Sequence, residues 1–127
     1  MYLIDSDVLI NFLKGDPDAV DTIKRIGSHL LYISVISVGE IWEGLLETKN
    51  KKKLTSFREL LKTVTVANID FAVIEKFASV RKLLRKKGML IDNLDLLIAS
   101  TCLAYNLSLV TKNTRHVKRI PDLKMNV

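Results

Sequence analysis

The sequence contains few of the residues that crosslink, break or redirect a chain. Its 127 residues include one cysteine, two prolines and five glycines. Because a single cysteine, Cys102, allows no disulfide within the chain, the composition fits a reducing compartment. We expect Cys102 to be a small buried hydrophobe in a helix. The prolines, Pro17 and Pro121, mark no linker, so we predict one domain that spans residues 1–127.

Long apolar runs are also lacking. The longest uncharged stretch, residues 96–111, lies near the lower limit of about 17 residues for a membrane-spanning helix, and it carries the polar side chains of Ser100, Thr101, Asn106 and Ser108. We predict a buried helix followed by a strand in this stretch. The chain begins with a strand pattern, Met-Tyr-Leu-Ile-Asp, which leaves no room for a signal peptide. We therefore expect a cytoplasmic protein with no membrane partner.

Acidic residues are outnumbered by basic ones. The chain has 20 Lys and Arg against 14 Asp and Glu, a net charge of +6 and a pI near 9.5. Clustered positive charge favours a polyanionic partner, because phosphate backbones release counterions on binding. Solvated helix faces are the ordinary alternative for such clusters. Three clusters stand out: Lys49, Lys51, Lys52 and Lys53; Arg81, Lys82, Arg85, Lys86 and Lys87; and Lys112, Arg115, Lys118 and Arg119.

Short apolar strands alternate with amphipathic helices along the chain. The pattern predicts strands at residues 2–5, 30–33, 63–67, 108–111 and 123–127. It predicts helices at residues 6–13, 17–27, 34–47, 54–62, 70–87 and 92–104, with the basic residues 49–53 as a break. Strands of continuous apolar character separated by helices indicate an α/β fold with a parallel sheet covered on both faces.

Capping residues and apolar spacing set the predicted helix boundaries. We expect caps at Ser6, at Asp16 ahead of Pro17, at Ser34 or Ser37, at Asp70, and at Asp92 or Asn93. Glycines 15 and 88 end two of the helices. The helix at residues 70–87 places these apolar residues at helical spacing: Phe71, Ile74, Phe77, Ala78 and Leu84.

Four polar positions fall at or near places where predicted strands hand over to helices. They are Asp5, Glu40, Asp95 and Asn113. In a parallel sheet the ligand site lies outside the carboxyl ends of the strands, which is where these positions fall. Each has an ordinary alternative. Asp5 is also a good helix cap, Glu40 also fits a solvated acidic stripe with Glu43 and Glu47, Asp95 also fits a satisfied core aspartate, and Asn113 also fits a turn.

Three of these positions are carboxylates in apolar surroundings. Burying an ionised, unpaired carboxylate costs several kcal/mol, so the site must supply a cation, hydrogen bonds or a raised pKa. A divalent metal ion satisfies this requirement best. Mg²⁺ and Mn²⁺ are hard cations that prefer oxygen ligands. Neither histidine, His29 nor His116, has the spacing of a metal-binding motif, although His116 follows Asn113 closely enough to touch a substrate.

Four segments together resemble a known family. In order and spacing, YLIDSDVLI, ISVISVGEIWEGL, DLLIAS and LVTKNTRHVKRIPDLKMNV resemble the PIN domain ribonucleases, and among these the VapC-type toxins of type II toxin-antitoxin pairs. The resemblance covers essentially the whole chain. It implies a three-layer α/β/α fold around a central, mostly parallel sheet of about four to five short strands. It also implies a divalent-metal-dependent endoribonuclease that cuts RNA with a metal-activated water.

The resemblance assigns roles to particular residues. Asp5, Glu40 and Asp95 look like the three family acids that hold Mg²⁺ or Mn²⁺, and Asn113 stands at the fourth catalytic position. Because Asn113 is neutral, one well-held metal is a safer expectation than two. Secondary candidates for the site are Ser6, Asp7, Asp92 and Thr111. Asp7 would partly restore the charge that Asn113 lacks. Candidates for RNA contacts are Lys112, Arg115, Lys118 and Arg119.

Partners also follow from the resemblance. VapC-like proteins are typically homodimers that a small VapB-type antitoxin blocks by lying across the active site. We expect both partners here, with the helices at residues 34–47 and 70–87 as candidates for the dimer surface.

Two other functions stay open. One is a non-catalytic RNA- or protein-binding module of the same fold, which the neutral Asn113 favours. The other is a haloacid-dehalogenase-like phosphatase with Asp5 as nucleophile. This second alternative is disfavoured because Asp122 is the one acid that remains after Asn113.

Overall fold

The structure, a computed structural model, describes residues 1–27 and 30–126. In that part of the chain a sheet of five parallel strands has the order β3-β2-β1-β4-β5. His29, and Val127 at the end of the fifth predicted strand, lie outside the described residues. The strands are β1 Tyr2–Ile4, β2 Leu31–Ser34, β3 Thr65–Ala67, β4 Ser108–Val110 and β5 Met125–Asn126.

Alternation along β1 explains why both faces of the sheet are covered. Leu3 and Ile4 are neighbours in sequence, so their side chains leave the strand on opposite faces. Leu3 packs into one core cluster with Leu84 and Leu96, whereas Ile4 packs into the other with Phe57. Each of these side chains is almost completely buried. This arrangement of helix, sheet and helix layers confirms the predicted α/β fold class.

Helices connect the strands in the order that the apolar pattern predicts. Their bounds are α1 Ser6–Leu13, α2 Pro17–Ile26, α3 Val35–Thr48, α4 Lys51–Leu61, α5 Phe71–Lys86, α6 Asn93–Tyr105 and α7 Thr114–Val117. Four caps fall on predicted residues, because the side chains of Asp16, Ser34, Asp70 and Asp92 each accept a backbone N–H bond from the first turn. Pro17 opens α2, as predicted. The helix α7 carries no apolar periodicity long enough to predict it.

One predicted helix cap and one predicted helix start are wrong. The side chain that caps α1 is Asp5, not Ser6, because an Asp5 carboxylate oxygen accepts the Ser6 N–H bond. The predicted break at residues 49–53 is shorter than expected, since the Asn50 side chain accepts the N–H bonds of Lys52 and Lys53 and starts α4 at Lys51. A good capping residue thus outweighs the repulsion among consecutive lysines.

The buried face of α5 differs from the predicted one. Val73 and Leu84 are completely buried, whereas Phe71 is 75% exposed and Ile74 is also exposed. Cys102 is buried in α6 as predicted, and burial raises the pKa of its thiol to about 12. Among the described residues, no helix combines the length and the hydropathy needed to cross a bilayer.

Candidate active site

Three adjacent strand ends meet at the carboxyl edge of the sheet. Strand β1 lies between β2 and β4, and Asp5 follows its last residue. The Asp5 N–H donates to the carbonyl of Val110 at 2.9 Å, which extends the pairing of β1 with β4 by one step. The next residue after β4, Thr111, therefore lies beside Asp5.

Thr111 links two of the predicted site positions. Its hydroxyl donates a 2.7 Å hydrogen bond to Oδ2 of Asp5, and its Oγ1 accepts a 3.0 Å bond from the backbone N–H of Asn113. Thr111 is 3% exposed, so this link is sheltered from water. Asn113 itself is exposed, and its side chain does not cap α7. The backbone of Asn113 is therefore fixed at the site, while its amide is free to turn.

Burial and neighbouring charge act together on Asp5. Its pKa is raised from 3.8 to about 6, chiefly because burial removes water from the carboxylate. The Thr111 hydroxyl and the Ser6 N–H lower it, and the negative charges of Asp7 and Asp95 raise it. The surroundings of Asp5 thus disfavour its ionised form, as expected for a buried carboxylate that lies near other acids.

Asp95 lies in the same cluster of acids. Its pKa is raised, first by burial and then by the negative charges of Asp92 and Glu40. Asp7 raises it further, and His116 lowers it. Asp92 caps α6 by accepting the N–H bonds of Leu94 at 3.0 Å and of Asp95 at 3.4 Å. The cap fixes Asp92 beside Asp95, and the effect of His116 on the Asp95 pKa indicates that α7 lies near the acids.

Glu40 reaches the site from α3. Its Oε1 accepts a 2.8 Å hydrogen bond from the Ser6 hydroxyl. The expectation that apolar neighbours bury Glu40 is wrong, because Glu40 is exposed, as are Glu43 and Glu47. The bond to Ser6 nevertheless distinguishes Glu40 from those two residues and ties α3 to the start of α1.

Asp7 fastens the loop after β4 to α1. Its Oδ1 accepts the Val8 N–H at 2.7 Å, and its Oδ2 accepts the Lys112 N–H at 3.0 Å. Asp7 therefore fixes the loop that carries Thr111 and Asn113. It also adds the negative charge that raises the pKa values of Asp5 and Asp95.

The four basic candidates follow β4 in the chain and lie on or beside α7. Lys112 is bonded to Asp7 through its backbone, and its side chain is exposed. Arg115 lies on α7, and Lys118 and Arg119 follow that helix directly. Arg115 and Lys118 are exposed, and Arg119 is partly buried. That these four side chains surround the acids with positive charge stays a prediction.

Arg81 is a site neighbour that the sequence did not single out. Its Nε donates a 3.1 Å bond to Oδ1 of Asn93, the residue between Asp92 and the rest of α6. The sequence placed Arg81 in a general basic cluster. No sequence signal distinguishes it, because the contact depends on how α5 packs against α6.

The donors at this edge suit a hard divalent cation in their chemistry. Asp5, Asp95 and Glu40 offer oxygen atoms, and their mutual repulsion favours a cation among them. As the side chains stand, however, no three Asp, Glu, His or Cys residues in the described part of the chain are grouped to hold a metal ion. Both Asp5 oxygens accept protein hydrogen bonds. Because these residues are not grouped as a metal site, metal binding would require their side chains to reorient.

The chain is similar to known sequences over nearly its whole length. The model of the PIN domain family matches residues 2–123. Ribonuclease VapC1 from Methanocaldococcus jannaschii is 34% identical over 125 residues, which cover 98% of this chain and 85% of that protein. Ribonuclease VapC2 from Rickettsia felis is 29% identical over 126 residues, with coverage of 97% and 94%.

Two solved structures have the same fold as this chain. A chain in the crystal structure of VapBC2 from Rickettsia felis, bound to a DNA fragment from the promoter, superposes with a TM-score of 0.90 at 25% identity. The DNA-bound VapBC structure from Salmonella typhimurium gives 0.88 at 21% identity, a likeness of fold alone. Each alignment covers 98% of this chain and 96% of the other.

Proposed function

Since this chain belongs to the PIN domain family, we propose that it is a divalent-metal-dependent endoribonuclease and the toxin of a toxin-antitoxin pair. The ribonuclease activity is supported by the similarity to two proteins that are named ribonucleases. An antitoxin as partner is supported by the similarity, at 25% identity, to a chain of the VapBC2 structure. The observation that carries the proposal is the convergence of Asp5, Asp95 and Glu40 at the carboxyl edge of the sheet.

Each acid would have a distinct task. Asp5, Asp95 and Glu40 would hold Mg²⁺ or Mn²⁺, whose chemistry when bound is to polarise a phosphodiester and to lower the pKa of an attacking water. Ser6 would orient Glu40, and Thr111 would orient Asp5, through the hydrogen bonds that these side chains already make. Asp92 would position Asp95 by capping α6.

The remaining candidates would act on the substrate. Asn113 would offer a neutral oxygen or amide to the substrate or to its water, since its backbone is fixed by Thr111. Lys112, Arg115, Lys118 and Arg119 would bind the RNA phosphates, because basic side chains around an acidic centre collect a polyanion. The protein would act in the cytoplasm, as a homodimer, and a VapB-type antitoxin would block it.

Two isosteric substitutions test the activity. Asp5→Asn and Asp95→Asn each remove a charge at the site with little change in shape. We expect RNA cleavage in Mg²⁺ or Mn²⁺ to fall by about a hundredfold or more, the loss typical of removing one group that stabilises charge in a transition state. Glu43→Gln is the matched control, because Glu43 is an exposed acid of α3 away from the observed contacts. Unchanged cleavage in both aspartate variants would show that a contaminant cuts the RNA.

A non-catalytic binding module is the second candidate. It is favoured by the neutral, exposed Asn113 and by the lack of a three-residue metal cluster among the described side chains as they stand. This module would bind RNA in EDTA and in Mg²⁺ equally well and would leave it intact. Metal-dependent cleavage that disappears in Asp5→Asn would exclude it.

A further inference from the structure

A small cavity opens directly beside the acidic cluster. Its volume is about 220 Å³, below the roughly 300–1,000 Å³ of pockets for drug-sized ligands. Three almost fully buried apolar residues, Val8, Ala19 and Val110, contribute to its wall. The polar lining residues are Asp18, Thr22, Thr111 and Lys112. A cavity of this size admits one flat ring system and not a longer segment of a polymer.

The cavity shares its wall with the site. Thr111 lines it and also donates to Oδ2 of Asp5. Lys112 lines it too, and its backbone N–H donates to Asp7. A ligand in the cavity would therefore contact Thr111 and Lys112, which bond directly to Asp5 and Asp7. In a nucleotide the base and the phosphate are separated by a single sugar, so one nucleotide can fill the cavity and reach the acids together.

The lining offers apolar contact for the faces of a base and polar groups for its edge. Proteins that read single-stranded RNA usually stack the base on aromatic or guanidinium side chains, whereas in this cavity aliphatic side chains would take that place. Val8, Ala19 and Val110 provide the apolar contact. Asp18 is exposed and provides a carboxylate. The Thr22 hydroxyl donates to the backbone carbonyl of Asp18 at 2.8 Å, which leaves its oxygen as an acceptor.

The carboxylate of Asp18 selects among the bases. An ionised carboxylate has two oxygens that only accept hydrogen bonds. Guanine presents two parallel N–H donors on its Watson–Crick edge, whereas adenine and cytosine pair one amino donor with a ring-nitrogen acceptor. Uracil has one N–H donor between two carbonyl acceptors, which an anion repels. Guanine is therefore the base that a carboxylate can bind through both oxygens.

We propose that this cavity binds a guanine base of the RNA next to the bond that is cut, and that Asp18 is the residue that selects it. The inference rests on the proposed ribonuclease function, and it adds the sequence preference. Lys112, as a cationic lining residue, suits the phosphate of the same nucleotide.

Cleavage of a random RNA pool tests the preference. The full chain, Asp18→Asn and Asp21→Asn are each incubated with the pool and Mn²⁺, and the new ends are sequenced. Asp21 is the matched control, since it is exposed on the same helix and does not line the cavity. We expect the wild-type chain and Asp21→Asn to cut beside guanosine. In Asp18→Asn the preference should fall about tenfold to a hundredfold, as for loss of a two-bond base contact, while cleavage continues. A wild-type chain with no guanosine preference, or a preference unchanged in Asp18→Asn, would overturn the proposal.

A binding measurement separates this proposal from the ribonuclease function. The ¹³C-methyl signal of Ala19 is followed in EDTA while a uridine hexamer with one central guanosine is added, and again with adenosine at that position. We expect a shift with the guanosine oligomer that needs at least about tenfold more oligomer in Asp18→Asn. If this shift is seen but no RNA is cleaved when Mn²⁺ is added, base binding in the cavity is supported and the proposed ribonuclease function is refuted. If cleavage is seen without the shift, the ribonuclease stands and the cavity assignment fails.

Discussion

The hydroxyl of Thr111 donates a hydrogen bond of 2.7 Å to the carboxylate of Asp5, although 106 positions separate the two residues in the chain. The bond exists because β1 and β4 are adjacent parallel strands that end together. It satisfies the buried hydroxyl of Thr111 and orients the carboxylate. It also lowers the pKa of Asp5 against the opposing effect of burial.

Loss of this hydrogen bond should raise the pKa of Asp5 and lower the stability of the fold. In Thr111→Val we expect the pKa of Asp5 to rise above about 6, since a bond that favours the ionised form is removed. The free energy of unfolding should fall by about 1–3 kcal/mol, because a carboxylate loses a buried partner. Carboxyl ¹³C NMR and urea unfolding measure the two effects. Thr111→Ser keeps the hydroxyl and should preserve both values. A pKa that is the same in all three proteins would contradict the assigned role of Thr111.

The raised pKa of Asp5 predicts a pH dependence of stability. The folded chain binds this proton with a pKa of about 6, against 3.8 for the ordinary group. Because the folded value is the higher one, the contribution of Asp5 to stability is complete below pH 3.8 and is lost as the pH rises through about 6. One pKa unit corresponds to about 1.4 kcal/mol, so the full loss is on the order of 3 kcal/mol.

Asp5→Asn isolates this effect from those of the other acids. In EDTA, the difference in unfolding free energy between Asp5→Asn and the wild-type chain should shift in favour of the variant between pH 4 and pH 7. Asp21→Asn, an exposed substitution, serves as control and should show no such trend. A difference that is constant with pH would mean that Asp5 is ionised normally in the folded chain.

Two substitutions at Asp92 separate its cap from its charge. Asn caps a helix about as well as Asp, whereas replacing a cap by Ala costs about 0.5–2 kcal/mol. We therefore expect Asp92→Ala to lose this amount of stability and Asp92→Asn to lose little. Since the charge of Asp92 raises the pKa of Asp95, that pKa should fall in both variants. Thermal unfolding and carboxyl NMR give the two readings, and a pKa that falls in Asp92→Ala alone would refute the charge effect.

Two phenylalanines provide a matched test of the core. Phe57 is completely buried and packs near Trp42, with ring centroids 6.3 Å apart, whereas Phe71 is 75% exposed. Phe57→Ala should cost about 3–5 kcal/mol, because it leaves a cavity in the core. Phe71→Ala should change stability by less than about 0.5 kcal/mol. Denaturant unfolding of both variants checks the pair, and similar losses would show that Phe71 is covered in solution, as by a second copy of the chain.

Much of the fold was predictable because local signals agree along the chain. Apolar strands, capping residues and helical spacing predicted the five strands, the helices α1 to α6 and the parallel sheet, and the structure has all of these, with α7 in addition. The cap of α1 was assigned to Ser6 instead of Asp5, and the start of α4 was missed by three residues because Asn50 caps that helix. The exposed position of Phe71 was not predictable, because its apolar character is locally compatible with either face of α5.

The sequence by itself determined which residues are available for the site. Asp5 directly follows β1, so its place at the edge of the sheet was predictable from the strand pattern, whereas Asp95 in α6 and Glu40 in α3 reach that edge only through helix packing. Only the tertiary structure decided how each of them is held. The bonds from Thr111 to Asp5, from Ser6 to Glu40 and from Lys112 to Asp7 depend on packing between segments that are distant in sequence. Hydrogen bonds act over about 3 Å, so their partners are fixed by strand register and helix packing, which residue spacing along the chain does not specify.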